Sequence, residues 1–306
     1  MPLAPILLFA FKRYEHTKAT LDALRKNYLA DQSELVVVLD GARNELEFKE
    51  VQKVKELVLS EHWCGKVELI ARKENRGLNE NFFDTIAEVL AKHNKIIVLE
   101  DDICAAPYFL KYMNDALDHY ENEKKVMNIS GFAFNWKTKS LPESFFIKCS
   151  STWGWATWKD RWDLLIRNPK IIYDEVQRSN LKFDFTQRET ENDYFEQLEL
   201  EIEGKKNIWD IKWYGTLMLN DGLSLYPRKS LVENIGFDGS GTHYTANVVG
   251  HKIELESDKI NDFPSLIEEN VEARKAIGAY FKSLQPTFFD KAKYKLNLLK
   301  AKYFGK

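Results

Sequence analysis

The sequence predicts an α/β protein with a mostly parallel, Rossmann-like central sheet and helices on both faces. Three observations carry that expectation. Short apolar runs alternate with amphipathic helical patterns through the first half of the chain. The runs are nearly continuous, as in strands buried on both sides. Polar residues cluster where the runs end, at the rim where such sheets bind ligands.

Taken in order, "PILLFAF" (5–11) reads as the first strand and "EHTKATLDALRKN" (15–27) as an amphipathic helix. "ELVVVLDG" (34–41) is the second strand, followed by a charged helix over about 45–60. "KVELIARKENRG" (66–77) supplies the third strand and its turn, and "NENFFDTIAEVLAKH" (79–93) a further helix. "KIIVLEDD" (95–102) is the fourth strand, then a helix over 107–120 and the strand "VMNISGF" (126–132). Beyond 132 the chain turns aromatic and irregular, through "STWGWATWKDRWDLL", a charged helical segment near 187–204 and "NIWDIKW". No Ser/Gly linker separates these halves, so residues 1–250 read as one domain. Within it, 1–132 is the regular half and 133–250 the aromatic half, with 251–306 a C-terminal helical extension.

Composition sets the outer limits. With 306 residues, 44% hydrophobic, 30% charged and a net charge of -3, the chain reads as a soluble globular protein without a nucleic-acid footprint. Its three cysteines, Cys64, Cys104 and Cys149, form no CxxC pair, which fits a reducing, cytoplasmic setting. The apolar N-terminal run has neither a basic region before it nor a small-residue cleavage site after it, and reads as a buried strand. The last segment, "FFDKAKYKLNLLKAKYFGK", puts Ala292, Leu296, Leu299 and Tyr303 on one helical stripe, with lysines elsewhere around it. Such a basic amphipathic helix suits either peripheral contact with the cytoplasmic face of an anionic membrane or packing on the domain.

The strand ends carry the chemistry. Asp40 ends the second strand, "ENRG" follows the third, and Glu100, Asp101 and Asp102 end the fourth. Adjacent carboxylates repel, and a divalent cation relieves them; Mg²⁺ and Mn²⁺ take one or two protein carboxylates and fill the rest of their shell with water and phosphates. That combination predicts a nucleotide diphosphate. No GxxxxGK[ST] loop offers another phosphate site.

These residues resemble the nucleotide-sugar glycosyltransferases of the GT-A fold. The order of features is similar: first strand, Asp40, "ENRGLNENF", then "VLEDDICAAPYFL", the last most like the N-acetylglucosaminyltransferase I type, with a general likeness to bacterial family 2 enzymes. The resemblance covers roughly residues 5–245 and implies that 1–132 is the nucleotide-binding half and 133–250 the acceptor-side half. It implies Asp102 as metal ligand, with Glu100 and Asp101 around ribose and metal-bound water, and Asp40 as acceptor from a uracil ring. It also implies Phe11, Arg13 and Arg76 as contacts to the nucleotide sugar, the arginines as candidates for its diphosphate.

On the acceptor side, an inverting transfer needs a carboxylate base, for which Asp160, Asp163 and Asp210 are the candidates. "NIWDIKW" is similar to the family's tryptophan-flanked catalytic acid and favours Asp210. His243, past a glycine pair, would complete the metal site or bind diphosphate. Trp153 and Trp155 in "WGWATW" are candidate sugar platforms. The expected activity is a Mn²⁺- or Mg²⁺-dependent hexosyl or N-acetylhexosaminyl transfer from a UDP-sugar to a glycan or lipid-linked glycan, with inversion, as in polysaccharide biosynthesis. A retaining transferase, a nucleotidyltransferase and an inactive carbohydrate-binding protein on the same fold are the alternatives.

Overall fold

The computed structural model describes residues 2–134, 136, 140–179, 181, 194–239 and 253–284. The first half alternates as expected: β1 (Ile6–Ala10), α1 (Tyr14–Arg25), β2 (Glu34–Leu39), α2 (Glu45–Ser60), β3 (Lys66–Ala71), α3 (Leu78–His93) and β4 (Lys95–Glu100). Then come β5 (Ile103–Ala105), α4 (Phe109–His119), β6 (Val126–Ser130), β7 (Ser144–Ile147) and β8 (Trp155–Trp158). The second half continues with α5 (Lys159–Trp162), α6 (Pro169–Arg178), α7 (Tyr194–Ile202), α8 (Asp210–Leu219), β9 (Leu223–Pro227), β10 (Val232–Asn234) and α9 (Val271–Leu284).

Among the described residues, eight strands form one sheet in the order β3-β2-β1-β4-β8-β6-β9-β7, and β5 pairs with β10 in a separate ribbon. The block β3-β2-β1-β4 is parallel throughout. β8 enters antiparallel between β4 and β6, and β7 closes the far edge antiparallel to β9. The chain runs outward from β1 through β2 to β3 and returns on the other side of β1 as β4. The carboxyl ends of β1 and β4 therefore flank the topological switch point, where an open α/β sheet leaves its ligand crevice.

The continuous apolar runs have a simple cause. Ile6, Leu8 and Ala10 of β1 face one core with Leu21 and Leu24 of α1 and Val54 of α2, while Leu7 and Phe9 face a second with Phe82, Phe83 and Ile86 of α3. Both faces of β1 are covered, so both sets of alternating side chains must be apolar; burying each large one contributes roughly 1.5–3 kcal/mol. β3 differs. It is the edge strand, half-exposed, and carries Lys66 and Glu68, charges that discourage pairing with another chain.

The second core is aromatic. Phe9 stacks on Phe82 at 3.7 Å, Phe82 meets Trp209 at 4.4 Å, and Trp209, Trp162 and Trp213 each lie within 5.8 Å of Trp155. Residues 253–284 lie against this body: the Tyr120 hydroxyl donates to the Pro264 carbonyl, and the Ser144 hydroxyl donates to the Asp262 carbonyl. The stripe on 288–306 lies outside the described residues. Among the described residues, no helix is long and apolar enough to cross a membrane.

Candidate active site

The acidic turn at the end of β4 sits at the switch point and is held from three sides. From α1, the Thr20 hydroxyl donates to the Asp101 carbonyl at 2.9 Å. From β10, the Ile235 N–H donates to the Asp102 carbonyl at 2.9 Å, directly after the β5–β10 ribbon brings the two segments together. From the turn after β1, Arg13 reaches across: its Nη2 donates to Asp101 Oδ1 and, at 2.8 Å, to Asp102 Oδ2. The next residue of the β10 segment, Gly236, leaves no room for a side chain, because a β-carbon there would overlap Asp102 Oδ2. Asp238 then ties the segment to α1 through His16 Nε2 at 3.2 Å.

The electrostatics are those of a crowded, under-neutralised cluster. Burial pushes Glu100 well above the usual carboxylate range, and the charges of Asp102, Asp101 and Asp210 push the same way while Arg13 opposes them. Burial likewise raises Asp101 despite its ion pair with Arg13. Burial disfavours the Arg13 charge, but Asp101 and Asp102 outweigh it and hold the guanidinium firmly protonated. Asp210 opens α8, as the sequence suggests, and lies near enough to Glu100 to affect its titration. The structure thus brings Arg13, Asp101 and Asp102 into contact beside Glu100, with Asp210 near enough for its charge to push Glu100 upward.

Asp40 has a neighbouring but separate place. Its Oδ1 accepts from the N–H groups of Gly41 and Arg76, and its Oδ2 accepts from Asn75 Nδ2 at 3.0 Å. The carboxylate therefore organises its own turn, with about one of its four acceptor positions left over. Gly41 is required there, since a β-carbon would collide with the backbone of Glu74 and Asn75. The Arg76 side chain is exposed. Phe11 is partly buried, with Lys12 and Arg43 over its ring at 5.6 and 5.5 Å.

Trp155 is corrected by the structure. It is fully buried in β8 among Trp162, Trp209 and Trp213, so its faces are covered by other rings and cannot receive a sugar. Trp153, two residues earlier, is only partly buried and meets Phe132 and Phe237 edge-on. Asp160 pairs with Lys124 and Arg161, and Asp163 with Lys159, on the surface of α5 and its end. His243 lies outside the described residues.

The donor set at the rim suits a hard divalent cation. It is made of carboxylate oxygens, and one guanidinium only partly balances its charge. Among the described residues no three His, Cys, Asp or Glu side chains form a cage, so an ion here would rest on Asp102, with water and phosphate oxygens filling its shell. Thr20, Gly236 and the His16–Asp238 pair were not legible as site residues.

Among known proteins, the chain matches no family model and no curated sequence. Among solved structures it is similar to a mannosyltransferase from Pyrobaculum calidifontis in complex with GDP-Man and Mn²⁺, at 15% identity and a TM-score of 0.37, over 52% of this chain and 45% of that one. It is also similar to glucosyl-3-phosphoglycerate synthase from Mycobacterium tuberculosis, in complex with Mn²⁺, uridine diphosphate and glucosyl-3-phosphoglycerate. That match has 11% identity and a TM-score of 0.33, over 59% of this chain and 67% of that one. The first match spans less than half of the mannosyltransferase's length.

Proposed function

We propose that this chain is a metal-dependent glycosyltransferase that moves a sugar from a nucleotide-diphosphate sugar, of the uridine type, to a glycan acceptor with inversion. The observation that carries this reading is the convergence of Arg13, Glu100, Asp101, Asp102 and Asp210 at the switch point of the sheet. Two chain segments supply the donor side, and a third, the start of α8, would supply the acid on the acceptor side.

Each residue has a task that its position allows. Asp102 would hold Mn²⁺ or Mg²⁺, with Glu100 and Asp101 beside it toward ribose and bound water. When bound, the ion neutralises charge that develops on the departing diphosphate. Arg13 already lies between the carboxylates, and its planar fork can bond phosphate oxygens as well as carboxylates. Phe11, Asp40 and Arg76 would contact the base and diphosphate of the donor, and Trp153, only partly buried, would offer its ring to the acceptor sugar. Asp210 would take the proton of the acceptor hydroxyl as that oxygen attacks the anomeric carbon from the face opposite the diphosphate.

A thermal-shift series of nucleotide diphosphates with and without Mn²⁺ tests the donor half. UDP with Mn²⁺ should raise Tm, by the equivalent of about 2.7 kcal/mol at a hundred times Kd, because ligand binds the folded state alone. No shift with any nucleotide would overturn the reading. NMR of the product anomer tests the inversion.

A further inference from the structure

The start of α8 is tied down on both sides of Asp210. Before it, Asn207 accepts from Asn79 Nδ2 of α3, and the Ile208 N–H donates to Glu201 Oε2 at 2.6 Å. Trp209 is set between Phe82 and Trp155. After it, Lys212 Nζ donates to Glu201 Oε1 at 2.5 Å. A single carboxylate on α7 thus receives one bond from the loop and one from the first helical turn, straddling Asp210.

The burial of this pair is its informative feature. Lys212 and Glu201 keep only 8% and 7% of their side-chain surface, and the Lys212 ammonium lies 5.5 Å from the Phe83 ring centroid, within the aromatic core. Taking two charges out of water is expensive, and well-packed apolar residues of similar volume often match or exceed such a pair in stability. A buried pair adds direction instead: two bonds of fixed geometry that apolar packing cannot supply. We infer that the Glu201–Lys212 ion pair positions Asp210, fixing the first turn of α8 so that the Asp210 carboxylate stands toward Glu100 and the acceptor hydroxyl. The inference rests on the proposed role of Asp210 as base and deepens it. Glu201 and Lys212 are positioning residues, acting through Asp210 and not on the substrate.

The test uses the full chain with Mn²⁺ and donor, measuring kcat, donor Kd by calorimetry and Tm. In Glu201→Gln/Lys212→Met both charges go together, which avoids leaving one buried and unpaired. This variant should keep donor Kd within about twofold while kcat falls roughly 10–100-fold, the effect of misplacing a reacting group by about 1 Å. Lys212→Arg should recover most of the rate. In an Asp210→Asn background the same double change should cost almost nothing further in kcat, since residues acting as one unit are non-additive. A purely structural pair would instead lower kcat to the same degree in both backgrounds, and that additivity would overturn the inference, as would wild-type kcat in the double variant. If the double variant does not fold, Glu201→Gln/Lys212→Gln, which also removes both charges together but keeps polar groups able to bond each other and the Ile208 N–H, carries the same comparison. Asp210→Asn run alone separates the failures. Normal turnover there removes the base and the positioning role with it, whereas lost turnover there beside an unaffected pair variant removes the positioning role only.

Discussion

At the donor rim, Asp101 and Asp102 are held by one guanidinium and two backbone carbonyl contacts, whereas across the crevice the start of α8 is held by a stack of rings and a buried ion pair. The first arrangement is electrostatic and exchangeable. Under the proposed function, an entering cation or phosphate would redistribute bonds among Arg13, Glu100, Asp101 and Asp102 without repacking the core. The second is steric. Trp209 cannot shift without moving Phe82 and Trp155, and interiors packed to crystal density resist such movement. A transferase of the proposed kind needs both properties, because its donor and metal must come and go while the base must stand at one place. Charge therefore suits the exchanging side and packing suits the side that must stay fixed.

The largest expected effect breaks the fixed side chemically while sparing its packing. Asp210→Asn preserves shape and should lower kcat by roughly 10²–10⁴, the usual worth of a general base, with donor Kd near wild type. Steady-state kinetics beside donor calorimetry checks it. If turnover survives, Asp210 is only an acid at a helix N-terminus, where the macrodipole favours it. The surface ion pairs of Asp160 and Asp163 leave those residues poor replacements.

On the exchangeable side, Asp102→Asn should remove the Mn²⁺-dependent rise in Tm with UDP and weaken metal affinity by more than the 10–100-fold typical of losing a group one shell further out. Circular dichroism should show the fold intact, because Asp102 lies in a turn whose backbone bonds to Ile235 remain. An unchanged Mn²⁺ titration would remove Asp102 from the metal site.

Arg13→Gln sharpens the contrast. Without its guanidinium the buried carboxylates repel unrelieved, so stability without metal should fall by about 2–4 kcal/mol. Mn²⁺ should restore part of that loss in the variant and add less in the wild type, where Arg13 already supplies positive charge. Denaturant melts with and without Mn²⁺ read this directly, and equal Mn²⁺ gains in both proteins would show that the ion and Arg13 do not share a charge.

The sequence made the two sides legible to different degrees. β1, β2, α2, α3 and β4 stood out because strands covered on both faces must be continuously apolar, and the acid cluster stood out because three carboxylates interrupt such a run. Asp210 at the head of α8 could be read from its tryptophan-flanked setting. The antiparallel entry of β8 could not, because "WATW" is a four-residue run with a ring at each end that serves equally as a core strand or as a sugar platform; burial decided for the core at Trp155. Arg13 stands 88 residues from Asp101, and the Asn79–Asn207 contact spans 128, distances over which periodicity carries no information. The Glu201–Lys212 pair is only 11 residues apart, yet it crosses a helix, a loop and a helix start, and charged residues in such a stretch ordinarily read as solvated.

The smallest effect concerns Asp40, which lies between the two modes. Its carboxylate is buried and accepts from Gly41, Asn75 and Arg76, joining the exits of β2 and β3. Asp40→Ala leaves those donors without their acceptor and should lower stability by about 1–3 kcal/mol whatever the residue does for a nucleotide. Asp40→Asn is the discriminating change. Its remaining carbonyl oxygen can still accept from the two backbone N–H groups, so most of the turn survives, but its NH₂ faces Asn75 with a donor and can no longer accept from a ring N–H on the base. If Asp40 reads the base, Asp40→Asn should weaken UDP binding by roughly tenfold or more, since one hydrogen bond to a charged acceptor contributes about 1.5–3 kcal/mol, with little change in Mn²⁺ dependence. If Asp40 only closes its turn, Tm will fall slightly and the UDP dissociation constant will stay where it was. In that case the base would have to be held by the neighbouring Phe11 and by backbone groups at the rim.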